Sequence, residues 1–179
     1  MVRYLAGTVA ASVILIGSVY LTYKKRRVQQ TQQLHRAEDE LHPLLKEHTV
    51  FRSYTTSHAQ YPHIRTFYRP HSHEGKHADI TDLPLLVFIH GIGGVLPQFA
   101  PLLQSLTNIA PCFGLELPGH GRSSFEPKQY EAYTIEANAT LWKTAIEDIC
   151  EAKGHKKVVL IGKLRLQMQE HCAKKWSRS

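Results

Sequence analysis

The sequence predicts an α/β domain behind an N-terminal membrane helix, and three observations carry that prediction. A charge-free stretch of twenty residues, Tyr4–Tyr23, lies at the start of the chain and runs into Lys24-Lys25-Arg26-Arg27. Three short apolar runs, Leu85–Ile89, Cys112–Leu117 and Lys157–Ile161, read as strands of a largely parallel sheet. Two stretches with apolar residues at helical spacing separate them, so strands and helices alternate. With 179 residues, 42% of them hydrophobic, the chain is long enough for one domain with a core of its own.

Residues 4–23 match the roughly 20 residues a helix needs to cross a hydrocarbon core. Tyr4, Tyr20 and Tyr23 stand at its two ends, where a ring with a polar tip suits the lipid–water boundary. Only Arg3 and the terminal amine precede the run, so the positive-inside bias places the rest of the chain in the cytosol, on the endoplasmic reticulum or the mitochondrial outer membrane. A cleaved signal peptide is the competing reading. It lacks a small-x-small cleavage site, and a basic stop stands where the mature chain would begin. The organisation expected is therefore an outer tip at 1–3, an anchor at 4–23, a basic stop and polar helical spacer at 24–47, a domain at 48–162, and a basic tail at 163–179.

Within the spacer, Gln29–Lys46 is expected to be helical and to end near Pro43. Val50–Thr56 and His63–Arg69 are rich in β-branched and aromatic residues and read as an antiparallel pair, with Tyr61-Pro62 as the turn. After a charged loop, His71–Asp82, comes Leu85–Ile89, apolar at every position, which runs into His90-Gly91-Ile92-Gly93-Gly94. Gln98–Asn108 places Phe99, Leu102, Leu103 and Leu106 on one helical face. Cys112–Leu117 opens into Pro118-Gly119-His120-Gly121-Arg122-Ser123-Ser124. A second helix starts at Thr134 as N-cap, turns Ile135, Ala139, Trp142, Ile146 and Ile149 inward, and ends at Gly154. The last strand closes on Gly162.

Three of these stretches, "LVFIHGIGG" at Leu86–Gly94, "LELPGHGRSS" at Leu115–Ser124 and "KKVVLIG" at Lys156–Gly162, resemble the α/β-hydrolase superfamily, in particular its lipase- and esterase-like branch. The resemblance covers about Val50–Gly162 and implies an incomplete α/β-hydrolase sheet of five strands, parallel after its N-terminal pair. It implies hydrolysis of a carboxylic ester or lipid by a serine nucleophile, with no cofactor and no metal. The backbone N–H of Ile92 takes the place of an oxyanion-hole donor, with His90, Gly91, Gly93 and Gly94 shaping the loop. Gly119, His120, Gly121 and Arg122 are structural in that pattern, and Ser123 lacks the final glycine of a nucleophile turn.

The nucleophile belongs in a Gly-x-Ser-x-Gly elbow beginning at Gly162, but Leu164 occupies the serine position and Leu166 the second glycine. Without a hydroxyl no acyl-enzyme can form. Of the acid and histidine that complete such a site, only the adjacent Glu170 and His171 follow. The chain as written is thus expected to be truncated before the nucleophile and inactive, either as the front part of a membrane-anchored serine hydrolase or as a membrane-tethered binding or regulatory module without catalysis. An uncovered apolar strand at 158–161 would also make the domain marginal or prone to misfold.

The net charge of +7 arises entirely from Lys153–Ser179, with 8 basic residues against 1 acidic. That tail has only His171 and Trp176 as ring-bearing residues after Gly162, which argues against nucleic acid as partner. The bilayer is the partner expected. Cys112, Cys150 and Cys172 match no zinc or redox spacing and read as free thiols. His58, His63, His71, His73 and His77 with Glu74 could hold a metal if their loop wrapped around it, but a polar surface loop is the simpler reading, because no helix or strand fixes their spacing. The Asn138-Ala139-Thr140 sequon falls within a predicted helix on the cytosolic side.

Overall fold

The computed structural model describes residues 2–71 and 83–162, with side chains from residue 18 onward. The chain divides into two compact units, 1–43 and 44 onward. The first is α1, Val2–Leu41, a single helix that runs without interruption through both the uncharged stretch and most of the spacer. It ends before Pro43, which has no N–H to donate and starts a new helix instead, α2 at Pro43–His48. The spacer helix thus ends near Pro43, as expected, and residues up to Lys46 belong to the next helix. Among the described residues no helix is long and apolar enough to cross a membrane. Residues 4–17 of the expected anchor lie outside those whose side chains are described.

The second unit begins at Leu44, earlier than the expected 48, because Leu45 is buried in its core. β1 (Thr49–Thr55) and β2 (Gln60–Arg69) form the antiparallel pair. Their turn is at Thr56–Ala59, where the Thr56 Oγ1 accepts from the N–H groups of His58 and Ala59 at 3.1 and 3.2 Å. Tyr61-Pro62, expected as the turn, lies within β2. The ladder shifts register between Arg52 and Tyr54, so Pro62 stands at a bulge, where a missing donor breaks no pairing; its carbonyl accepts from the Ser53 hydroxyl at 2.6 Å.

β3 (Leu85–Ile89), β4 (Cys112–Leu115) and β5 (Val158–Gly162) complete a five-stranded sheet in the order β1-β2-β4-β3-β5. β4 is antiparallel to β2, and β3 is parallel to both β4 and β5. From β3 the chain steps to one side to reach β4, then returns past β3 to reach β5. Right-handed crossovers in opposite directions put their helices on opposite faces of the sheet.

Side-chain alternation agrees with those two faces. Leu85, Val87, Phe113 and Leu115 join the inner face of α4 (Ile135–Lys153), while Phe88 and Cys112 join Leu45, Phe67 and the residues of α3 (Ala100–Leu106). A 3-10 turn at Leu96–Phe99 leads into α3, so the α-helix expected over Gln98–Asn108 is confined to Ala100–Leu106, and Leu102 faces outward at 48% exposure.

On α4, Thr134 caps the N-terminus by accepting from the Ala137 N–H, and Gly154 ends the helix at φ 74°. Its buried stripe is Ala137, Leu141, Trp142, Ala145, Ile146 and Ile149. Ile135 and Ala139 lie outside it and are exposed, because the face that packs on the sheet side chains is the one carrying Leu141, Trp142, Ala145, Ile146 and Ile149. Among the described residues β5 stands last in the sheet, and Val158, Val159 and Leu160 are 38–45% exposed.

Candidate functional site

Because β3, β4 and β5 are parallel, the loops that leave them emerge at one end of the sheet. The register pairs Ile89 with Gly162, so the His90–Gly94 loop starts beside the end of β5. Expected site residues from two separate motifs are thereby brought to one edge. Leu164 and Leu166 lie outside the described residues.

The loops after β3 and β4 are tied together reciprocally by their histidines. His90 Nε2 accepts from the Leu117 N–H at 3.0 Å, and His120 Nε2 accepts from the Gly93 N–H at 3.2 Å. An accepting Nε2 leaves the proton on Nδ1, which in His90 faces the Gly91 carbonyl at 2.9 Å and in His120 the Pro118 carbonyl at 3.1 Å. The two rings lie 5.2 Å apart. His90 is 2% exposed, and burial lowers its pKa from the ordinary histidine value. Both imidazoles are thus engaged as neutral braces.

A carboxylate beneath the loops holds them from the other side. Glu116 Oε1 accepts from the Leu96 N–H at 3.0 Å and from Arg65 at 3.2 Å, while Oε2 accepts from the Arg122 N–H at 2.7 Å. Both members of the Arg65–Glu116 ion pair are fully buried. Ser123 joins them: its hydroxyl donates to the Glu116 carbonyl at 2.7 Å and accepts from the Arg65 N–H at 2.9 Å. Gly121, at φ 52°, passes so close to the Glu116 carboxylate that a Cβ there would overlap it.

Arg122 serves the loop through its backbone N–H, and Ser123 is buried and committed to hydrogen bonds. Arg65 and Glu116 were missed by the sequence reading, though a signal was available. A carboxylate flanked by Leu115 and Leu117 in an apolar run read as a strand requires a partner once buried.

The Ile92 N–H donates to no group among the described residues, whereas that of Gly93 is taken by His120. The Ile92 side chain is 91% exposed. Cys112 is enclosed by apolar side chains that push its thiol up to about 12, and burial raises Cys150 as well, so neither supplies a thiolate. Among the described residues no group of three or more histidine, cysteine or acidic side chains is placed to hold a metal ion. His73, Glu74 and His77 of the histidine-rich loop lie outside those residues.

Residues 84–163, from just before β3 to just after β5, match the family model of the alpha/beta hydrolase fold. That segment belongs to the α/β-hydrolase superfamily. No curated protein sequence matches the chain. It is similar to the solved structure of a membrane phospholipase A described as a bacterial virulence factor, at 21% identity over 90% of this chain and 44% of that one, TM-score 0.45. It is also similar to an epoxide hydrolase from Vigna radiata, at 15% identity over 65% of this chain and 32% of that one, TM-score 0.46. A monoglyceride lipase from Saccharomyces cerevisiae shares 17% identity over 64% of this chain and 34% of that one, TM-score 0.45. The chain spans less than half the length of each, and at these TM-scores they add nothing about substrate.

Proposed function

We propose that the chain is the front part of a membrane-anchored α/β-hydrolase that acts on a carboxylic ester or lipid, with its body in the cytosol and no nucleophile of its own. The observation that carries this reading is the β3–β5 register. It sets the Ile92 N–H, which has no partner among the described residues and is suited to receiving an oxyanion, at the same end of the sheet as Gly162, the first residue of the elbow. In the sequence, Leu164 occupies the serine position of that elbow. The anchor reading is supported by α1 running unbroken through Tyr4–Tyr23. Within it the Thr22 hydroxyl donates to the Ser18 carbonyl at 2.8 Å, a bond internal to the helix of the kind hydrocarbon demands.

A second reading, a membrane-tethered binding or regulatory module without catalysis, is favoured by a different observation. His90, His120 and Ser123 are all engaged in bracing the loops, which leaves none of them as base or nucleophile. A serine-directed fluorophosphonate probe tests the proposal. The chain is expected to remain unlabelled, and the variant Leu164→Ser with Leu166→Gly tests whether the elbow alone restores reaction. Labelling of the unaltered chain at any serine would show that the nucleophile has been misplaced.

A further inference from the structure

We infer that Lys24-Lys25-Arg26-Arg27 forms a binding band for anionic phospholipid headgroups, an inference that rests on the anchor reading. The four residues are consecutive on α1 and all exposed. At 100° per residue they point around the whole helix, so the band presents charge to lipid in every direction. It spans about 6 Å along the axis. The headgroup layer of one leaflet is about 5–7 Å thick. A band of that height, placed directly after the uncharged stretch, therefore matches the layer in depth.

Two further observations favour lipid over a protein partner. Tyr20 and Tyr23 stand at the boundary, and the Arg27 guanidinium lies over the Tyr23 ring, 5.8 Å from its centre, which keeps ring and charge at one level. The acidic residues of α1, Glu38, Asp39 and Glu40, begin eleven positions beyond Arg27, about 16 Å along the helix. That separation exceeds the Debye length of about 8 Å at physiological ionic strength, so the band is not neutralised from within its own helix.

The test uses the detergent-purified full chain mixed with equal amounts of phosphatidylcholine and phosphatidylserine, re-isolated by size exclusion, with its retained lipid quantified. Phosphatidylserine is expected to be enriched at least about threefold, and the enrichment to collapse in 1 M salt, where the Debye length is about 3 Å. The variant K24Q/K25Q/R26Q/R27Q should retain the two lipids equally while keeping its helix content by circular dichroism. The exchange K24R/K25R/R26K/R27K should keep the preference. Equal retention by the unaltered chain, or a preference that survives the glutamine variant, overturns the inference. Carbonate extraction of the chain from reconstituted vesicles reads the anchor separately: a chain that resists extraction but shows no lipid preference loses the band and keeps the anchor. A chain that is extracted yet enriches phosphatidylserine keeps the band and loses the anchor.

Discussion

The Arg65 guanidinium donates to the Glu116 carboxylate at 3.2 Å with both side chains fully buried, joining β2 to the end of β4 beneath the loops of the candidate site. Two backbone N–H groups, from Leu96 and Arg122, converge on the same carboxylate. One side chain thus sets the positions of both loops.

Glu116→Leu removes the partner of a buried charge and the acceptor of two backbone N–H groups, that of Leu96 buried and that of Arg122 half-buried. Loss of a buried pair's member costs about 3–5 kcal/mol. Arg65→Met with Glu116→Leu should recover part of that loss but not all, because Leu96 and Arg122 still lack their acceptor. Denaturant titration of the two single variants and the double variant measures the coupling; simple additivity would show that the pair does not act as a unit.

Gly121→Ala combines an unfavourable backbone region with overlap of its Cβ and the Glu116 carboxylate, and should destabilise by more than about 2 kcal/mol. Gly154→Ala has a similarly positive φ of 74° but open space around it, so only the backbone term of about 1 kcal/mol applies. Equal losses in thermal melts of the two variants would show that the contact with Glu116 is not limiting.

Burial lowers the pKa of His90 in the folded chain, while the unfolded chain titrates near the ordinary value of 6.5. Above pH 6.5 both states are neutral and the contribution is fully present. Below it the unfolded state takes up a proton that the folded state refuses, so stability falls as pH drops through the window between 6.5 and the lowered folded value. The slope from one such group is at most about 1.4 kcal/mol per pH unit. Burial also lowers His48, which acts in the same direction. Stability against pH should be flatter in His90→Gln than in the unaltered chain, with His48→Gln separating the second contribution; identical slopes would remove His90 as a source.

β5 carries Val158, Val159 and Leu160 partly exposed on the last strand of the sheet. Leu160→Lys places a charge on that strand and should reduce light scattering of the concentrated chain, with a stability change within about 0.5 kcal/mol. Unchanged scattering would place the aggregating surface elsewhere.

Much of the architecture was legible in local sequence. The three apolar runs became β3, β4 and β5, Thr134 and Gly154 capped α4, and the HGIGG and PGHGRSS stretches became the loops at one sheet edge. These features depend on side-chain period, on a hydroxyl that can cap a helix and on glycines that accept positive φ, all properties of a few neighbouring residues. Other features appeared only with the tertiary structure. Arg65 finds Glu116 across 51 positions, and His90 and His120 find N–H groups 27 positions away, because the strand order places β4 between β2 and β3. Pro62 is accommodated in β2 by a bulge in the pairing with β1, and Ile135 and Ala139 turn outward because the buried stripe of α4 runs instead through Ala137, Leu141 and Ala145. Each depends on which surface lies opposite, and that is decided by strand order and register, which no window of neighbouring residues contains.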